Sequence, residues 1–343
     1  MGCPIPHQDA VRIQLAHGGG GRLTQRLISD VFYPAFANPL LAEAHDGAVF
    51  AVNSGRMAFT TDSYVVDPLF FNGGSIGDLA VNGTINDLAC CGARPMALSA
   101  SFIIEEGLLR RELRQVVDAM GEAARRAGVS IVTGDTKVVA HGQCDKLYIT
   151  TSGVGLVRSG VRLHPDRIRP GDVVLLSGPI GRHGVCILST RARLGFETNI
   201  ASDTAPLHRM ALELVDEVDV HVMRDATRGG LSSTMNELAE AASVRIDLDE
   251  EALPVPEAVA AACELLGLDP LYVANEGVMI VIVGPDDARR ALEVMHSHAE
   301  GGEAVVVGRV GDYAEGGEVV LHTYLGGTRT LEMLSGEQLP RIC

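Results

Sequence analysis

One stretch divides this chain. Residues 158–172, RSGVRLHPDRIRPGD, concentrate Pro, Gly and Arg where neither a helical nor a strand period can run. On each side the same grammar of strands and helices is written afresh. Before the break the pattern predicts a strand over 48–66, a helix of small residues over 77–93 and a strand over 95–104. A helix over 108–128 and strands over 129–135 and 146–157 follow. The 108–128 segment is strongly amphipathic, with Leu109, Leu113, Val116, Val117, Met120, Ala123 and Ala124 at helical spacing and Gly128 as its stop. After the break come a strand over 173–178, helices near 183–194, 205–217, 231–242, 256–266 and 286–298, and strands at VRIDLDE, LYVANEGVMIVIVG and AVVVGRV. A hairpin over 318–334 closes the pattern. Two related α/β units fit it, and so do two unrelated α+β domains. At 343 residues the chain is long enough for two cores.

Charge narrows the partners. The formal net charge is −16, which repels nucleic acid and anionic membranes. A phosphate ligand would need a metal ion or a nest of backbone N–H groups to offset that field. The first residues, MGCPIPHQDAV, lack the basic and apolar regions of a signal peptide, and no apolar run reaches the roughly 18 residues of a membrane span. Seven Cys without a CxxC read as thiols of a reducing cytoplasm, with Cys90, Cys91, Cys186 and Cys263 as small core residues.

Five aspartates sit beside Gly or other small residues where strands or helices are expected to end. They are Asp46, Asp62, Asp87, Asp135 and Asp225. Singly each reads as a turn or cap residue; together they could offer oxygens to Mg²⁺ and share it with phosphates. The run His17-Gly18-Gly19-Gly20-Gly21 is either a flexible arm or a loop whose N–H groups converge on an anion. No Walker A loop and no GxGxxG fingerprint is present. Lys137 and Glu276 either tune one another as proton-transfer groups in a shared pocket or are surface charges, Lys137 pairing with a nearby Asp. The last residue, Cys343, carries its thiol beside its own carboxylate, which raises rather than lowers its pKa. SGEQLP before it gives reach, since nine residues span up to about 30 Å. That combination points to a thiol loaded by another protein.

HGGGG, DGA, TTDSYVV, GGSIGDLAVNGTINDLA, VTGDTKVV, RDATRGGL, NEG and the terminal PRIC together make the chain resemble the HypE hydrogenase maturation factors. These are carbamoyl dehydratases within the PurM-like ATP-dependent superfamily, and the resemblance covers nearly the whole chain. It implies an α/β plus α+β PurM-like architecture. Residues 1–45 would be a flexible arm, 46–160 an ATP-binding domain dimerising through its strands, 170–334 a second domain and 335–343 a mobile tail. It implies that the five aspartates hold Mg²⁺ and ATP, and that Gly18, Gly19, Gly20 and Gly21 cover the phosphates. Lys137 and Glu276 would handle protons, while Cys343 accepts a carbamoyl group from HypF. ATP would convert the carbamoyl oxygen to a phosphate leaving group; loss of the N–H protons would leave a thiocyanate, whose cyanide passes to iron on HypC and HypD. The rivals are another PurM-like synthase or kinase and a partner-docking scaffold without turnover. The extension through Cys3 matches nothing in the family pattern.

Overall fold

The computed structural model describes residues 21, 22, 25, 48–52, 55–192, 200–336 and 341–343. Gly18, Gly19, Gly20, Asp46 and Cys3 lie outside the described residues.

Two sheets organise the molecule. β1 (Ala48–Val52) and β2 (Gly55–Tyr64) pair directly, Val52 opposite Gly55, so the expected single strand over 48–66 is a hairpin. β3 (Phe70–Phe71) and β4 (Gly74–Ser75) form a small ribbon leading into helix α1 (Ile76–Cys90). Then come β5 (Ala93–Glu105), α2 (Arg110–Ala127), β6 (Ser130–Val139) and β7 (Leu147–Val157). The five-stranded order is β1-β2-β7-β5-β6, with β6 at an edge. The helix α1 starts at an N-cap, Ser75, whose hydroxyl accepts from the N–H groups of Gly77 and Asp78. It is buried all round, which explains its small residues: it lies between its own sheet and the second domain. The helix α2 ends at Gly128 in the left-handed region, φ 70°. Of its apolar stripe, Val116, Met120, Ala123 and Ala124 are buried, but Leu109 and Val117 are exposed.

The second half contains β8 (Val173–Leu176), α3 (Arg182–Ala192), α4 (His208–Glu217), β9 (Val220–Asp225), α5 (Gly230–Ala242), β10 (Val244–Asp249) and α6 (Glu257–Leu266). It continues with β11 (Met279–Val283), α7 (Ala288–His296), β12 (Val305–Tyr313), β13 (Glu318–His322) and β14 (Thr328–Thr330). The seven-stranded order is β14-β13-β10-β12-β8-β11-β9. Both faces are covered. Val174 and Leu176 pack with α5 and β10, whereas Val173 and Leu175 pack with α4 and α7. A strand buried on both sides needs an unbroken apolar run, which VVLL and MIVIV supply. The segment read as one strand from Leu271 begins instead with a 3₁₀ turn, Pro270–Tyr272, and only Met279–Val283 is strand. Among the described residues no helix is long and apolar enough to cross a membrane.

Candidate active site around the chain end

The end of the chain is docked. Cys343 carboxyl-terminal oxygen accepts from Val65 N–H at 3.1 Å, and Arg341 carbonyl accepts from Asp67 N–H at 3.3 Å. Ile342 is 3% exposed and belongs to the apolar cluster that joins the first domain to Cys186 and Ile187 of the second. Its carbonyl accepts from His183 Nε2 at 2.7 Å, while His183 Nδ1 lies 2.8 Å from Ser202 Oγ. A carbonyl only accepts, so Nε2 carries the proton and Ser202 donates to Nδ1. Burial pushes the imidazole down to about 4, so it stays neutral at physiological pH.

These contacts seat the Cys343 thiol against Glu276. Burial pushes the thiol up to about 12; Glu276 and Asp62 add to the shift and Arg228 opposes it. The dominant cause is thus burial, not the neighbouring carboxylate that the sequence suggests. Glu276 is 4% exposed, far from a solvated strand-end charge. Its carboxyl is raised well above the usual range, first by burial and then by Asp203, Asp225 and Asp62. Its Oε1 has no hydrogen-bond partner. An unpaired buried carboxyl oxygen costs stability unless something occupies it, and here it lies in the group facing the thiol.

The backbone holds Glu276 in place. Glu276 N–H and Gly277 N–H donate to the Asp203 carboxylate at 3.2 and 3.3 Å, and Asp203 is itself raised to about 6 by burial. A Cβ on Gly277 would lie 1.8 Å from the Asp203 carbonyl oxygen, so only Gly allows the turn. From α1, Asn86 donates to the carbonyls of Ala205 and Glu276, tying the two domains together at the site.

Asp62 and Asp87 meet here. Asp62 is raised by burial and held by Thr84, Tyr64 and Asp87, with Thr84 Oγ1 and the Tyr64 hydroxyl each at 3.3 Å. Thr60 Oγ1 donates to Asp87 at 2.5 Å. Gly83 admits the Tyr64 hydroxyl, which a Cβ would meet at 2.1 Å. Asp225, at the end of β9, acts on Glu276 from the second sheet. Of the four described, only Asp225 ends an element: Asp62, Asp87 and Asp135 lie within β2, α1 and β6.

Asp135 and Lys137 are elsewhere in the chain. Register pairs Asp62 with Thr151, Thr151 with Ala100 and Ala100 with Gly134. Gly134 therefore shares the Asp62 face, and Asp135 and Lys137 occupy the opposite one. They are exposed, with Lys137 Nζ 3.2 Å from Asp135. Gly21 is described, and beside it Arg22 N–H donates to Leu334 carbonyl at 2.7 Å, where the tail begins. Sequence reasoning missed Arg228, Tyr64, Asp203 and His183. Arg228 stands inside the quoted RDATRGGL and is held in its charged form chiefly by Cys343, then by Asp62 and Glu276. Its place in that motif was the available signal.

No group of three or more His, Cys, Asp or Glu is gathered to hold a metal among the described residues. The paired carboxylates of Asp62 and Asp87 nevertheless suit Mg²⁺, which takes one or two protein oxygens and completes its shell with water and phosphate.

Two mixed α/β domains joined across α1, with buried carboxylates at their junction, define the class. Models for AIR synthase related proteins match residues 44–157 (N-terminal domain) and 169–320 (C-terminal domain), and the architecture is PurM-like. The carbamoyl dehydratase HypE of Rhizobium leguminosarum bv. viciae is 50% identical over 335 residues, covering 97% of this chain and 95% of that protein. A crystal structure of the hydrogenase maturation protein HypE in complex with ATP superposes with a TM-score of 0.82 at 50% identity, covering 95% of this chain and 98% of the other. In a HypE-HypF complex the matched chain gives a TM-score of 0.84 at 43% identity, covering 90% and 99%. The chain belongs to the HypE family of carbamoyl dehydratases.

Proposed function

We propose that this enzyme dehydrates an S-carbamoyl group on its own Cys343 to a thiocyanate, for delivery as the cyanide ligand of a [NiFe]-hydrogenase. The observation that carries this reading is the docked Cys343 thiol facing a buried carboxyl, Glu276, whose Oε1 is unpartnered. A carbamoyl group extending from that sulfur would bring its N–H donors to an acceptor already in place. Glu276 would take a proton from the nitrogen; its raised affinity for protons makes it a strong acceptor once ionised. Arg228, charged and beside Cys343, favours the ionised forms around it and would balance charge developing on the carbamoyl oxygen. Burial of Ile342 and the three held carbonyls would keep the reacting carbon fixed and water out.

Asp62 and Asp87, with Asp225 from the second sheet, would hold Mg²⁺ and ATP; Gly18 to Gly21 and Asp46 complete the expected set. Bound Mg-ATP supplies a phosphoryl group that turns the carbamoyl oxygen into a leaving group. Oxygen departs on phosphate and two protons leave nitrogen, so the thiocarbamate loses the atoms of one water.

HypF would load the thiol, and HypC with HypD would receive the cyanide, in the cytoplasm. A homodimer is part of this reading. β6 is a ten-residue edge strand whose outer backbone groups a lone protein would have to protect. The outer sheet face also exposes Phe59 and Ile103. Asp135 and Lys137 stand on that edge and face, so they would serve the site of the partner copy. Mass spectrometry of the carbamoylated protein before and after Mg-ATP tests the reaction. The C-terminal peptide should lose one water; an unchanged mass overturns the reading.

A further inference from the structure

We propose that Val65, Asp67, Asp145, His183 and Arg191 form a peptide-reading slot specific for an Arg-Ile-Cys segment, able to bind such a peptide in trans when the chain's own Arg341, Ile342 and Cys343 are withdrawn. The inference deepens the reading of the tail as a substrate arm and rests on it for its purpose. The contacts themselves need no carbamoyl group.

Main-chain groups provide the frame. Val65 N–H and Asp67 N–H, two residues apart, donate to Cys343 and Arg341, the spacing at which an added strand is gripped. This begins immediately after β2, whose pairing with β7 ends at Tyr64 opposite Ile149. The middle carbonyl, that of Ile342, goes to His183. Arg191 donates to the Arg341 carbonyl and also to the Asp67 carbonyl, bridging guest and host. Three consecutive carbonyl positions of the tail are therefore held.

Side chains provide the reading. Arg341 reaches two acids, hydrogen-bonding Asp145 and standing 3.8 Å from Asp67. Ile342 fills an apolar socket against Cys186 and Ile187, and Phe71 packs edge-on to the His183 ring at 5.6 Å between centroids. Cys343 ends the chain, and Val65 N–H takes an oxygen of its terminal group. Arg341 has a φ of 54°, a left-handed conformation that a non-Gly residue adopts only when its surroundings impose it. A loosely resting end would not be held so.

The probe is a fluorescein-labelled peptide, Leu-Pro-Arg-Ile-Cys with a free carboxylate, read by anisotropy on a chain shortened to end at Pro340. Saturable binding is expected. It should weaken by at least about tenfold when Arg becomes Glu or when Ile becomes Asp, as loss of charge-assisted hydrogen bonds or a buried contact requires. His183→Ala in the shortened chain should weaken it similarly, and the full-length chain should bind poorly because its own end occupies the slot. Should shortening compromise folding, full-length Ile342→Asp evicts the tail without deletion and must show the same binding. No binding by either folded variant, or equal binding of all the peptides, overturns the proposal. Water loss from carbamoylated full-length protein is measured separately, so failure of the slot is distinct from failure of the chemistry.

Discussion

Replacing Ile342 by Ala should release the chain end by an amount the structure sets. The side chain is 3% exposed in the apolar cluster between the two domains, and Ala removes three of its carbons while leaving the backbone hydrogen bonds intact. At about 0.8 kcal/mol for each buried carbon the docked state loses about 2.4 kcal/mol, a shift of about 60-fold toward the undocked tail. Alkylation of Cys343 by iodoacetamide reads that shift, followed by mass spectrometry of the C-terminal peptide. In the slot the thiol moves from 9.0 to about 12, which cuts its thiolate fraction roughly a thousandfold, so alkylation proceeds through undocked molecules. The rate at Cys343 should rise about 60-fold, while Cys263, buried in a separate cluster, stays slow. A rate within about threefold of the parent would mean that Ile342 contributes little to docking, refuting the area argument. Equal acceleration at Cys263, which sits in a separate apolar cluster, would mean that the whole fold had loosened instead.

For Glu276→Gln, conversion of the carbamoylated tail should slow by roughly 10²–10⁴-fold, the usual worth of a general base, with Cys343 alkylation unchanged; conversion at the parent rate removes Glu276 from proton transfer. His183 predicts acid sensitivity: its pKa is 6.5 unfolded and about 4 folded, so the unfolded chain binds the extra proton between them. The associated stability is complete above pH 6.5 and falls toward pH 4, by up to about 3 kcal/mol. Urea midpoints of the parent should therefore drop further between pH 7 and 4.5 than those of His183→Gln, a comparison that cancels the opposite trend of Asp203. Arg228→Met removes the cation that opposes the upward shifts of Cys343 and Glu276, so the pH–rate profile for conversion should move to higher pH; an unmoved profile would take Arg228 out of the electrostatics. Gly277→Ala drives a Cβ into the Asp203 carbonyl and should lower the thermal midpoint, with a cost of a few kcal/mol; an unchanged midpoint would show that the turn tolerates the methyl group.

Buried strands were the easiest part to read. VVLL and MIVIV are apolar on both parities because each contributes side chains to cores on both faces of the seven-stranded sheet. Asp62 was partly readable, since Ala58, Thr60, Asp62 and Tyr64 share one parity of β2 and an acid on an inward parity is unusual. The opposite placement of Asp135 was not, because it follows from a register between β5 and β6 that no local pattern reports. LYVANEG misled for a similar reason. Asn275 interrupts the apolar run by accepting from Gly181 N–H and donating to the Ala226 carbonyl, partners distant in sequence. His183 and Arg191 likewise acquire meaning only from a chain end more than a hundred residues away.

A thiol held near a pKa of 12 is chemically quiet. Oxidants, stray electrophiles and metal ions all require the thiolate, so the docked end resists unwanted modification at the residue that must stay intact. Withdrawal restores ordinary thiol acidity and leaves an apolar vacancy where Ile342 sat. Under the proposed reaction, loading would then be confined to the interval when the end is held outside, with the vacated apolar socket favouring its return.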